Sequence, residues 1–269
     1  MICEKIQLRK DNENVYLKTY VPDNLYGRIS DALLVMPGGG YAFLSDRESE
    51  PVALEFVSKG YAVFVLYYSV MENAKFPNPL IDASLAINYI KNNSKKYYVN
   101  PERIFALGFS AGGHLAASLG ILWNLPEIYQ KANIKPGYNK PKGVLPIYPV
   151  ISADVDGAHM DSFYRITGAT SPTKDELFKY SLEKRVNGDT VPMFIVHTST
   201  DSSVSVHNSL ALATALRNNS IQFEMHIYPD APHGMSLCNK ITSMGDEKKE
   251  NHEYAKWVNL AHKWMESIK

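Results

Sequence analysis

The chain has 269 residues, 45% of them apolar and 21% charged, a balance that excludes fibrous and intrinsically disordered classes and is enough for a large core. Lys and Arg together number 28, as do Asp and Glu, so the formal net charge is zero, and no long basic run marks a nucleic-acid or anionic-membrane partner. No stretch approaches the ~18 consecutive apolar residues that a membrane span needs. Residues Met1 to Gln7 lack the apolar core of a secretory signal. Cys3 and Cys238 match no metal spacing and suit a reducing compartment. The expectation is a cytoplasmic protein with one domain over residues 1–269, an ordinary size for a single open α/β sheet.

In chain order, the first buried run is Ala32–Met36, followed by a helical pattern near residues 47–59 and a second run over Tyr61–Leu66. A helix near 79–92, the run Ile104–Leu107 and an Ala-rich helix near 111–124 come next. Then stand Val144–Tyr148, Met193–Val196, a helix near 204–218, Phe223–Tyr228 and a last helix near 252–268. Short apolar runs without polar alternation are the mark of strands covered on both faces. Their alternation with helices predicts an α/β fold: a mostly parallel central sheet with helices on both faces. The rhythm fails between about 151 and 190, where Ser, Asp, Gly, Thr and Pro are frequent. This segment reads as a small cap-like insertion over the sheet.

Chemistry concentrates at the ends of these runs. Gly108-Phe109-Ser110-Ala111-Gly112 joins the run ending at Leu107 to the helical Leu115-Ala116-Ala117. A G-x-S-x-G turn between strand and helix leaves its serine exposed at the strand's end, beside free N–H groups of the helix start. Ser110 is therefore the candidate nucleophile. Pro37-Gly38-Gly39-Gly40-Tyr41 follows the first run, and successive glycines let backbone amides approach a substrate oxygen. The amides of Gly39 and Gly40, with that of Ala111, are the candidate oxyanion donors. The loop has neither the P-loop lysine nor G-x-G-x-x-G spacing, so it gives no sign of a nucleotide cofactor. Nothing else in the chain calls for a cofactor or a metal.

A serine hydroxyl needs a base, and the base needs a carboxylate to hold its tautomer. His233 lies in the turn-rich Pro229-Asp230-Ala231-Pro232-His233-Gly234 after the last run, where a side chain can reach over the strand tips. The other histidines fall within strands, helices or the insertion, and His114 lies one turn along the helix from Ser110. Asp201, at the end of the Met193 run, is the favoured acid; Asp230, on the histidine's own loop, is its rival.

With these residues in hand the chain resembles the α/β-hydrolase esterases related to acetyl xylan esterases and hormone-sensitive-lipase-like carboxylesterases. The likeness is carried by PGGGYAFLSDRESEPVALEF, GYAVFVLYYSV, RIFALGFSAGGHLAAS, VHTSTDSSVSVHNSLALATAL and YPDAPHGMSL. It implies Ser110 as nucleophile, Asp201 as acid, His233 as base, and Gly39, Gly40 and Ala111 around the oxyanion. Pro37 departs from the His found there in many relatives. The implied substrate is a small-molecule ester of short acyl chain, acetyl on a carbohydrate foremost. A gated peptidase of the same fold has no room here for its extra domain, and a non-catalytic binder would lack part of the triad. Tyr41 is expected to touch substrate, with Phe43, Phe163 and Tyr164 as further walls. The oligomeric state is left open, a homo-oligomer included.

Overall fold

The computed structural model describes residues 1–24 and 27–269. The chain begins with β1 (Lys5–Gln7), β2 (Tyr16–Tyr20), β3 (Ser30–Met36), α1 (Glu50–Ser58), β4 (Ala62–Tyr67), α2 (Asn78–Asn92) and α3 (Ser94–Tyr97). The middle holds β5 (Val99–Phe109), α4 (Ala111–Leu122), α5 (Pro126–Ala132), β6 (Gly143–Ile147), α6 (Met160–Thr167) and α7 (Lys174–Tyr180). It ends with β7 (Met193–Thr198), α8 (His207–Asn218), β8 (Phe223–Tyr228), α9 (Lys240–Ser243), α10 (His252–Ala255) and α11 (Trp257–Ser267). The strands form one eight-stranded sheet in the order β1-β2-β4-β3-β5-β6-β7-β8. Pairing is parallel from β4 to β8 and antiparallel for β1 with β2 and β2 with β4.

Successive side chains of a strand point to opposite faces, so a strand between two helix layers must be apolar at every position. β3 obeys this: Ala32, Leu34 and Met36 pack on one face with residues of α2, α4 and α8, while Leu33 and Val35 pack on the other with Phe56 of α1 and Trp257 and Trp264 of α11. Each fully buried Leu, Val or Phe contributes about 1.5–3 kcal/mol relative to exposure. The central strands are thereby a stiff platform for whatever their tips carry.

Helix α4 is buried at all twelve positions. Its small residues make this close seating feasible; a Cβ on Gly120 would stand 2.9 Å from a methyl of Val144. β1 and β2 fall where the sequence pattern suggests no strand. They are an edge hairpin of three and five residues with mixed exposure, too short and too polar to register as buried runs. The helix expected over 252–268 divides at Lys256 into α10 and α11. Between β6 and β7, the segment expected as a cap-like insertion carries α6 and α7. Thr173 and Glu176 form a reciprocal capping box that starts α7. No helix among the described residues is long and apolar enough to cross a membrane.

Candidate active site

β5 runs directly into α4 through Ser110, whose backbone is held at φ 53°, ψ −115°. A side chain at this φ is strained, and the surroundings enforce it. A Cβ on Gly108 would lie 1.9 Å from the Gly112 carbonyl oxygen, and one on Gly112 would lie 2.2 Å from that of Met36. Only glycine fits at either position. Ser110 N–H donates to Ile147 O at 3.0 Å and Ser110 O accepts from Val150 N–H at 3.1 Å, locking the turn to the end of β6. The side chain sits at the carboxyl end of the parallel strands and at the N-terminus of a helix.

His233 arrives from the loop after β8. Its Nε2 is 2.9 Å from Ser110 Oγ and its Nδ1 is 2.6 Å from Asp201 Oδ2. The carboxylate only accepts, so Nδ1 carries the proton and Nε2 is left to accept from the serine hydroxyl. Asp201 is held in turn: Oδ1 accepts from the amides of Ser203 and Val204, both at 2.9 Å. Burial works to raise the pKa of Asp201. The close His197 imidazole and the hydrogen bonds from His233 and the Val204 amide outweigh it and hold the carboxyl well below its ordinary range. His197 donates from Nε2 to Val204 O at 2.9 Å, with Asp201 Oδ2 3.4 Å away, and its Nδ1 accepts from Ser209 Oγ at 2.7 Å. Asp230, the rival acid, turns outward and accepts from Thr200 Oγ1 at 3.0 Å instead.

The glycine loop is anchored at nearly every residue. Tyr68 donates to Pro37 O at 2.6 Å, Gly38 N–H donates to Glu48 Oε2 at 2.8 Å, and Ser45 N–H donates to Gly38 O at 3.0 Å. The amides of Gly39, Gly40 and Ala111 donate to no acceptor among the described residues. Gly39 and Gly40 both have positive φ, at 131° and 61°. Tyr41, expected to touch substrate, is instead a core residue. It too has a positive φ, of 60°, which turns its ring inward until it is wholly buried. Its hydroxyl donates to His114 Nδ1 at 2.8 Å, and its face meets Tyr68 edge-on. It has no surface to offer a substrate.

His114 is sealed in the same core; its Nε2 donates to Tyr180 O at 2.9 Å. Burial pushes it down to about 4, and with both nitrogens engaged it is no base for Ser110. Phe163, expected near substrate, is buried against His114, and Tyr164 does not border the cavity.

The cavity over Ser110 has a volume of about 490 Å³ and is bordered by Gly39, Gly40, His233, Phe43, His159 and Arg165. Phe43 is 61% exposed there. His159 is lowered by burial and then by the nearby His233. Three contributors escaped the sequence analysis: His159, hidden in the irregular insertion; His197, set aside as a strand residue; and Glu48, one charge in the run Ser45-Asp46-Arg47-Glu48. A strand histidine four residues before the candidate acid was the available signal for His197. For Glu48 there was none, since its contacts are long-range. Among the described residues no group of three His, Cys, Asp or Glu side chains is arranged to hold a metal.

The doubly covered sheet, with a strained serine at the elbow after β5, a carboxylate after β7 and a histidine after β8, defines the class: an α/β hydrolase. The chain belongs to the BD-FAE family, which matches residues 17–216. It is 38% identical to endo-1,4-beta-xylanase B of Butyrivibrio fibrisolvens over 78% of this chain and 33% of that protein. It is 28% identical to an acetylxylan esterase of Xylanibacter ruminicola, over 84% of this chain and 45% of the relative. The chain thus spans less than half the length of these two relatives. Among solved structures it is similar to an acetyl ester-xyloside bifunctional hydrolase from Caldicellulosiruptor lactoaceticus. That similarity has a TM-score of 0.82 and 35% identity, covering 98% of this chain and 96% of the other.

Proposed function

We propose that the chain hydrolyses short acyl esters, acetyl groups on carbohydrate above all, through an acyl-enzyme on Ser110. The observation that carries this reading is the continuous chain from Asp201 through both nitrogens of His233 to Ser110 Oγ. In the proposed reaction His233 Nε2 takes the serine proton as Oγ attacks the ester carbonyl. The resulting oxyanion accepts from the free amides of Gly39, Gly40 and Ala111. His233 then returns the proton to the departing alcohol. Water, deprotonated by the same nitrogen, adds to the acyl-enzyme, and collapse of the second tetrahedral species frees the acid and restores Ser110. Asp201 keeps the imidazole tautomer and stabilises its charged form throughout.

The carbohydrate part rests on two further supports. The cavity is small, and besides one exposed aromatic ring its borders carry the polar groups of His159, Asp161, Arg165 and Arg47, a lining suited to hydroxyl-rich ligands rather than long acyl chains. The relatives of known name include an acetylxylan esterase. The test is wild type beside Ser110→Ala on p-nitrophenyl acetate and acetylated xylo-oligosaccharides. Wild type is expected to release acetate from both, and Ser110→Ala to lose about 10⁴-fold or more while remaining folded. Activity on the aryl ester alone would reduce the reading to a general short-chain carboxylesterase, and an active Ser110→Ala would end it.

A further inference from the structure

Glu48 lies in the one-turn helical segment that precedes α1, only 3% exposed. Its two oxygens serve two different loops. Oε2 accepts from Gly38 N–H at 2.8 Å, and Oε1 accepts from Tyr148 Oη at 2.7 Å. Tyr148 is equally enclosed, and its hydroxyl accepts from Ser236 N–H at 2.9 Å. Ser236 stands three residues beyond His233, and the Tyr148 ring meets the His233 ring edge-on with centroids 5.1 Å apart. Ser236 Oγ donates back to Arg47 O at 2.7 Å, closing a circuit around Glu48. A carboxyl group placed here takes up Gly38 N–H, a donor at the end of β3 with no strand partner left, which is costly to bury unpaired. Clearance is equally tight: a Cβ on Gly38 would lie 2.7 Å from Glu48 Oε2, 2.8 Å from Phe109 O and 3.1 Å from Ser110 Cβ. The glycine loop is clamped between Glu48 and the serine elbow.

We propose that Glu48 is a positioning residue that holds the glycine loop and the histidine loop in one register, so that the Gly39 and Gly40 amides and His233 Nε2 converge on the same reacting carbonyl. The proposal rests on the reading of those amides as oxyanion donors. The donors must meet a charge that exists only in the transition state, and misplacement lowers turnover more than ground-state binding. Glu48 borders the cavity but is only 3% exposed, and its hydrogen bonds go to Gly38 and Tyr148 rather than to Ser110 or His233; its effect passes through Gly38, Tyr148 and Ser236.

The test uses the full chain and the variants Glu48→Ala, Glu48→Gln and Tyr148→Phe, with folding checked by circular dichroism. The readouts are kcat and KM on p-nitrophenyl acetate and the affinity for phenylboronic acid, whose tetrahedral adduct with serine mimics the oxyanion species. Glu48→Ala is expected to lower kcat and boronate affinity together by about 10²-fold while KM stays within about threefold. Glu48→Gln, which can still accept from Gly38 N–H, is expected to recover to within about tenfold of wild type, with Tyr148→Phe between the two. The double variant Glu48→Ala/Tyr148→Phe should be no worse than Glu48→Ala alone, because both cut one circuit. A folded Glu48→Ala with kcat and boronate affinity within about threefold of wild type, or a loss confined to KM, overturns the proposal. If Glu48→Ala does not fold, wild-type kcat in both Glu48→Gln and Tyr148→Phe overturns it. An inactive Ser110→Ala beside a fully active Glu48→Ala sinks only this inference; an active Ser110→Ala sinks the esterase mechanism beneath it.

Discussion

The two ends of the sheet make a useful contrast. At the amino ends of β5 to β8 lies the more voluminous cleft, about 780 Å³, bordered by Lys91, Glu102, Lys140, Lys142, Asp189 and Gln222. At the carboxyl ends lies the cavity of about 490 Å³ over Ser110. The first offers volume and charged side chains but no histidine or cysteine along its border, and its serine, Ser267, donates to Trp264 O at 2.7 Å. Of the ten non-glycine residues with positive φ among the described residues, four, Ser110, Tyr41, Tyr148 and Ser236, stand on the loops that build the second. Strain persists only where packing over-determines it, and it collects where geometry matters. Parallel strands also deliver their carboxyl ends to helix N-termini, where amides point outward unpaired. Position and chemistry, more than volume, separate the two ends.

The contrast breaks most sharply at Asp201. Asp201→Asn is expected to cut kcat about 10⁴-fold, since an amide favours the wrong tautomer of His233 and leaves its charged form unsupported. Asp230→Asn, whose side chain faces Thr200, is expected to cost far less. Steady-state rates on p-nitrophenyl acetate decide between them, and the reverse ranking would move the acid onto the histidine's own loop.

A second difference lies in how the carboxyl end answers to pH. His114 is held neutral by burial, its pKa lowered from 6.5 to about 4. Between those values the unfolded chain binds a proton that the folded chain refuses, so stability falls as pH drops through the window and levels off below it. At about 1.36 kcal/mol per pH unit, the loss is roughly 3 kcal/mol. His159, lowered in the same direction, adds a smaller and solvent-screened share. The depressed Asp201 carboxyl acts on the opposite side: its contribution is present above its ordinary 3.8 and is lost only at lower pH. Thermal melts from pH 7 to pH 4 should therefore fall less steeply for His114→Gln than for wild type. Parallel slopes would mean that His114 is charged in the fold.

Acyl length sharpens the contrast between a small polar cavity and an extended apolar groove. Each enclosed methylene is worth up to about 0.8 kcal/mol, and chains that outrun the cavity gain nothing further. A series of p-nitrophenyl esters should peak in kcat/KM at about two to four carbons and fall about tenfold by octanoate. A maximum at octanoate or beyond would contradict the polar-rim reading. The smallest effect belongs to the other end of the sheet: Lys140→Ala and Lys142→Ala are expected to leave kcat/KM within about twofold of wild type. A large loss there would show that the roomier cleft takes part in the reaction.

The same contrast explains what the sequence could reveal. The runs of the central strands, from Ala32 to Val196, are apolar because both faces are covered, so they are readable without partners, while β8 at the sheet edge carries Glu224 and His226. β1 and β2, short and only partly covered, carry no such mark. Ser110 is legible because a local clash between Gly108, Gly112 and the β3 backbone forces glycine at both flanks. Asp201 and His233 are legible because chain order and strand tips restrict the choice. Glu48 and Tyr41 are not. Each takes its role from a contact with a distant element, Glu48 with Tyr148 and Tyr41 with His114. No period or motif in the intervening chain records which of a run of charges, or which aromatic after a glycine turn, faces inward.

The central claim is that Ser110 carries the acyl group, and the most direct measurement is intact-protein and peptide mass spectrometry after reaction with a fluorophosphonate ester and after rapid acid quench with p-nitrophenyl acetate. The account predicts one phosphonyl adduct, and a transient acetyl adduct of about 42 Da set by the acyl-enzyme chemistry, both on the peptide containing Ser110 and both absent from Ser110→Ala. Stable labelling of another serine, or unchanged labelling of Ser110→Ala, would contradict it.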